Sequence, residues 1–132
     1  WEVNGITATS GTVVVNWSGT MRTCSVGIFE CVDAATAYYQ AAGSNADPMN
    51  ASVAVPWGGF AIAVAKNENT GGAFTWTNLT ERYDELFYGT TGRASGSCDA
   101  FSVEQASLSV TADPADAGAD NAMALASWGP AA

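Results

Sequence analysis

Apolar and polar residues alternate with a period of two along most of this 132-residue chain. Successive side chains of an extended strand point to opposite faces, so such alternation predicts half-buried β-strands. The first expected strand is Thr12 to Trp17, with Val13, Val15 and Trp17 on one face and Val14 on the other. The second, Thr23 to Val32, sets Val26 and Ile28 against Phe29, and Gly27 marks a bulge that can change this parity. Ala35 to Ala42, with Tyr38 and Tyr39, reads as a third strand or as one helical turn. Residues 43–50 are loop by composition; Val53 and Val55 then lead to Pro56, which ends a short edge strand.

After a Trp57-Gly58-Gly59 turn, Phe60, Ile62 and Val64 alternate with Ala61, Ala63 and Ala65. This is the best candidate for a central strand, because its alanine face lets a second layer approach closely. Asn67 to Gly72 is a polar turn. Phe74-Thr75-Trp76 and then Leu79 to Tyr88 are extended, the latter carrying the charged run Glu81-Arg82-Tyr83-Asp84-Glu85. Gly89 to Gly96 reads as loop. Cys98 to Ala106 and Leu108 to Ala112 follow as strands; an acidic loop, Asp113 to Asp120, precedes a last strand in which Met123, Leu125 and Ser127 alternate with Ala124, Ala126 and Trp128. No long window keeps a 3.6-residue stripe, so the expected fold is all-β. It is a two-sheet antiparallel β-sandwich of eight or nine strands in one domain, 1–132, for which a jelly roll is one form and a small closed barrel the rival.

Composition narrows the chemistry. There is no histidine, and only Arg22, Lys66, Arg82 and Arg93 are basic. Serine and cysteine triads and most zinc sites lose their central group. The formal charge of −9 repels phosphate backbones and no basic stripe is present, so nucleic acid and anionic membranes are not expected partners. No segment reaches the ~18 consecutive apolar residues of a membrane-spanning helix, which predicts a soluble chain. It begins at Trp1, so either an upstream piece has been removed or the numbering starts inside a longer polypeptide.

Three cysteines leave the redox state open. In one extended strand Cys24 and Cys31 would lie about 23 Å apart at ~3.3 Å per residue, too far to bridge. Cys98 can pair with Cys24 or with Cys31, or all three stay reduced. Paired carboxylates are the one catalytic device left, with Glu81, Asp84 and Glu85 the candidates. On an unbroken strand Glu81 and Glu85 share one face and Arg82 and Asp84 the other, and a solvated charged strand is the simpler reading. Asp113, Asp116 and Asp120 with Asn121 form a weak calcium candidate that fits no EF-hand spacing. Five Trp and four Tyr offer stacking surfaces for sugars. Trp57, beside Pro56 and Gly58, is the one expected to be exposed; Tyr83 and Tyr88 are further binding candidates, while Trp17, Trp76 and Trp128 fit core or inter-subunit packing. Asn16, Asn50 and Asn78 begin glycosylation-type triplets, taken as chance matches.

The stretches Gly-Gly-Phe-Ala-Ile-Ala-Val-Ala from Gly58, Gly-Gly-Ala-Phe-Thr-Trp-Thr-Asn-Leu-Thr-Glu-Arg-Tyr-Asp from Gly71, Ala-Ser-Leu-Ser-Val-Thr-Ala from Ala106 and Met-Ala-Leu-Ala-Ser-Trp from Met123 form one set. Together they resemble small β-sandwich domains in structural proteins of tailed bacteriophages. The resemblance implies a non-enzymatic virion component: a capsid decoration, head-fibre or tail protein. Its expected partners are copies of itself, other virion proteins and a host surface glycan. It would need no cofactor, and it would form a homo-oligomer, trimeric if it is a spike. The alternative is a carbohydrate-binding or adhesion module of an extracellular protein; a hydrolase using Glu81 ranks third.

Overall fold

The computed structural model describes residues 12, 14–16, 18–20, 25–35, 37–68, 72–87, 92–115 and 120–131. Eight strands run in the order β1 (Gln40–Ser44), β2 (Met49–Val55), β3 (Phe60–Asn67), β4 (Phe74–Thr77), β5 (Glu81–Phe87), β6 (Gly92–Ala100), β7 (Gln105–Pro114) and β8 (Ala122–Trp128). They form two antiparallel sheets, β1-β8-β3-β6-β5 and β2-β7-β4. The pairs β1–β8, β2–β7 and β3–β6 are nested as in a chain folded back on itself, and β8 and β7 then reach β3 and β4. This is the strand order of a jelly roll, with one difference: β5 stays on β6 instead of joining β4. β3 lies at the centre of the larger sheet, as its pattern predicts.

The core lies between the sheets. Met49, Val53 and Val55 of β2 and Leu108, Val110 and Ala112 of β7 face Ala61, Ala63 and Ala65 of β3 and Met123 and Leu125 of β8. Ala61 and Ala63 are 0% exposed. Methyl groups on the central strand leave room for the larger side chains opposite, so the layers interlock at interior density.

Both open sides of the sandwich are fastened by hydrogen bonds that involve side chains, most of them to backbone, which also blunts the free strand edges. On one side the Ala54 N–H donates to Gln40 Oε1 at 2.6 Å, and the Ser127 hydroxyl donates to the Ala54 carbonyl at 2.6 Å. On the other the Phe74 N–H donates to Asp84 Oδ2 at 3.0 Å, and Trp76 Nε1 donates to Ser95 Oγ at 2.8 Å.

Several expected boundaries are corrected. No strand runs over the described residues of Thr12–Trp17 or Thr23–Val32; they have alternation but no ladder partner among the described residues. Ala35–Ala42 is neither a full strand nor a helical turn, since β1 starts at Gln40. Residues 43–50 are not all loop: β1 runs to Ser44 and β2 starts at Met49. Gly89–Gly96 is not all loop, because β6 starts at Gly92 and threads its small residues between β3 and β5. The expected strand Cys98–Ala106 is two strands, broken at 101–104, where the Phe101 N–H bonds the Gly59 carbonyl at 2.8 Å. The acidic loop begins after Pro114, since β7 extends that far.

Candidate functional site

The outer faces of the two sheets differ in kind. On the three-stranded sheet the outward positions include Asn50 and Ser52, Ser109, Thr111 and Asp113, and Thr75 and Thr77, all paired across the ladders or adjacent to them. Thr111 Oγ1 donates to Asn50 Oδ1 at 2.6 Å, so this face is a hydroxyl, amide and carboxylate surface suited to water. On the five-stranded sheet the register puts Phe60, Ile62 and Val64 beside Trp128, Ala126 and Ala124 on one flank. Ala100, Cys98 and Gly96 lie on the other flank. The larger side chains of β3 therefore point away from the core. Phe60 and Trp128 stack with centroids 5.2 Å apart and planes at 7°.

Part of this apolar face is roofed by the segment 25–35, which crosses it without joining a ladder along 25–33. Two anchors hold it. At one end Phe29 lies 6.2 Å from the Tyr83 ring. A side-chain carbon on either Gly27 or Gly96 would collide with the Tyr83 phenol, so glycine is required at both positions for this packing. At the other end the Ala35 N–H bonds the Gly129 carbonyl at 2.9 Å and the Ala131 N–H bonds the Asp33 carbonyl at 2.7 Å. Between the anchors lies a hollow of about 250 Å³, lined by Cys31 and Val32 above and by Phe60, Ile62 and Cys98 below. Arg82 closes its rim, donating to the Cys98 carbonyl at 3.0 Å and pairing with Asp99 at 3.3 Å. Beyond the roof Val64, Ala122 and Ala124 stay exposed, and Val26, Ile28 and Val32 of the roof itself face solvent, Ile28 at 71% and Val32 at 74%.

Of the expected binding residues, Trp57 is 70% exposed in the turn after β2, where Gly58 has a φ of 71° and the Gly59 N–H bonds the Pro56 carbonyl. Tyr83 instead anchors the roof, and burial raises its phenol pKa. Tyr88 lies outside the described residues, as do Cys24 and Asp116. Cys98 is a thiol in this structure and shares one hollow with Cys31. Asp113 and Asp120 are exposed, and no group of three or more acidic or thiol side chains among the described residues is placed to hold a metal.

The expected sharing of a face by Glu81 and Glu85 is corrected. A register shift between Glu81 and Tyr83 sets Glu81 opposite Ser97 and Asp84 opposite Ser95, while Glu85 pairs with Ala94 on the other face. Asp84 Oδ1 lies 3.1 Å from Arg93 Nη1, and its other oxygen caps β4. Ser95 donates to the Tyr83 carbonyl at 2.8 Å, with Glu81 Oε2 farther off at 3.5 Å. Desolvation, and secondarily the Asp84 charge, raise the Glu81 pKa. Asp84 is committed to its structural partners: its bond from the Phe74 N–H joins the two sheets, and its ion pair with Arg93 joins β5 to β6.

Compared with known protein families, curated proteins and solved structures, the chain matches none.

Proposed function

We propose that this chain is a non-enzymatic assembly domain, a virion structural protein of the decoration, head-fibre or tail type, that docks through the outer face of its five-stranded sheet onto copies of itself. One observation carries the reading: one outward sheet face is Ser, Thr, Asn and Asp, whereas the other is Phe, Ile, Val, Trp and Ala. A water-facing sheet needs only one apolar side, so the part of the second apolar side that the roof leaves open, at Val64, Ala122 and Ala124, together with the exposed Val26, Ile28 and Val32 of the roof, is available for a partner. A like copy fits it on charge. Two chains of formal charge −9 repel over most of their surface. Over this face Arg82 pairs with Asp99 and Lys66 with Glu68, which lowers the local repulsion that the exposed carboxylates of Glu30 and Glu85 would otherwise set.

The experiment is light scattering after size-exclusion at micromolar concentration, on the wild type, Val64→Glu and Ser109→Glu. Val64 is 38% exposed, so a carboxylate there leaves the fold intact while charging the docking face. The expected outcome is an oligomer for the wild type and Ser109→Glu, and a monomer for Val64→Glu. A monomeric wild type overturns the reading.

The exposed Trp57 favours a second reading, an extracellular carbohydrate-binding or adhesion module, because a free indole face can stack on a pyranose. A glycan array in which wild type binds and Trp57→Ala does not would establish it in place of assembly.

A further inference from the structure

We propose that Cys31 and Cys98 form an oxidisable pair, a disulfide staple that fastens the segment 25–35 to β6 in an oxidising medium and releases it on reduction. The inference is independent of the assembly reading. Both residues line the same hollow, one from the roof and one from the sheet. Cys98 sits opposite Ile62, on the outer face that the roof covers. Cys31 is set between two anchors, the Phe29–Tyr83 contact before it and the backbone bonds of Asp33 and Ala35 after it. The two anchors therefore keep Cys31 over the sheet. A disulfide needs Cα atoms roughly 4.4–6.8 Å apart. Residues 25–33 belong to no strand ladder, so the roof can settle into the hollow beneath it without breaking ladder bonds.

Accessibility orders the chemistry. Cys31 is exposed and Cys98 half-buried. With oxidised glutathione as oxidant, the Cys31 thiolate attacks one glutathione sulfur, forming a mixed disulfide and expelling one glutathione thiolate. The Cys98 thiolate then attacks the Cys31 sulfur of that mixed disulfide and expels the second glutathione. Two protein thiols are oxidised to one disulfide, one glutathione disulfide is reduced to two thiols, and the two protons pass to the released glutathione.

The test equilibrates the full, folded chain with oxidised glutathione, blocks remaining thiols by alkylation and maps peptides by mass spectrometry without reduction. The expected product joins Cys31 to Cys98 and leaves Cys24 alkylated, in the wild type and in Cys24→Ser alike. Because the wild-type map decides the pairing, nothing depends on how a variant folds. A map in which Cys24 holds the bridge, or in which all three residues remain single thiols or glutathione adducts, overturns the proposal. Limited proteolysis supplies a second readout: cleavage within 25–35 slows on the order of tenfold in the oxidised form, because the staple removes the open state that a protease samples. Equal cleavage rates would show that the bridge fastens nothing.

Discussion

Replacing Ala63 by leucine, and separately Ile62 by alanine, tests which side of β3 is interior. The two neighbours sit on opposite faces of the central strand, Ala63 at 0% exposure against the second sheet and Ile62 half-buried over the hollow. Leucine at 63 adds three carbons. In free space their transfer from water would stabilise by about 0.8 kcal/mol each. Interiors packed at about 0.75 of their volume offer no such space, and Met49, Val110 and Leu125 belong to the same cluster. The added carbons must force the sheets apart, a net loss of about 1–3 kcal/mol. Alanine at 62 removes three carbons from a site that already borders an open hollow. No new enclosed cavity forms, and half of the full transfer value gives a loss of about 1 kcal/mol. Were Ile62 the core residue, its truncation would cost about 2–5 kcal/mol. Urea unfolding in reductant, at a concentration where the chain is monomeric and with the slope checked for constancy, measures both. A neutral or stabilising Ala63→Leu, or an Ile62→Ala loss above about 3 kcal/mol, would refute the assignment of faces.

Three further outcomes follow from particular contacts. Gly96→Ala should destabilise by about 1–3 kcal/mol through collision with the Tyr83 ring, and most of that loss should vanish in a Tyr83→Ala background; a simple sum of the two losses in a double-mutant cycle would show that the residues do not touch. Asp84→Asn should lower stability by about 1–3 kcal/mol in urea titration, because the Arg93 guanidinium, with its side chain 17% exposed, loses its countercharge and the β4 cap weakens; an unchanged midpoint contradicts the role given to this pair. Glu81 has a folded pKa above its ordinary 4.5, so the folded state binds its proton more tightly than the unfolded one. Its contribution is present below pH 4.5 and is lost as pH rises through the folded value, so Glu81→Gln should flatten the decline in urea midpoint from pH 4 to pH 7, and an unchanged slope would argue against the shift.

The sandwich was legible where alternation coincided with clear turn residues. Phe60–Ala65 declared both the central strand and the face that meets the second layer, and Leu108–Ala112 and Met123–Trp128 showed their buried residues directly. β6 was hidden because a strand of Gly, Ala and Ser carries no apolar alternation; its need for small side chains comes from Tyr83 lying over Gly96, a contact far apart in sequence. The opposite failure occurred over Thr23–Val32, where alternation is strong and the described residues, 25–32, form no ladder. Alternation reports two unlike faces, and a segment lying across a sheet meets that condition without pairing. The carboxylates were grouped wrongly for a local reason, since the register shift after Glu81 reverses the parity that an unbroken strand would have. The contrast between the two outer sheet faces, on which the docking proposal rests, needs the topology: Ser109 and Thr111 read as polar in sequence, but only pairing shows that Asn50, Ser52, Thr75 and Thr77 join them.

Carbene or hydroxyl-radical footprinting of the wild-type protein, read residue by residue at dilute and at high micromolar concentration, tests self-docking most directly. Protection of Ile28, Val32, Val64 and Ala124 at the higher concentration, with Trp57 and Thr111 labelled equally in both, is the result predicted. Labelling of Val64 and its neighbours that does not change with concentration, or protection confined to the Ser and Thr face, would contradict it.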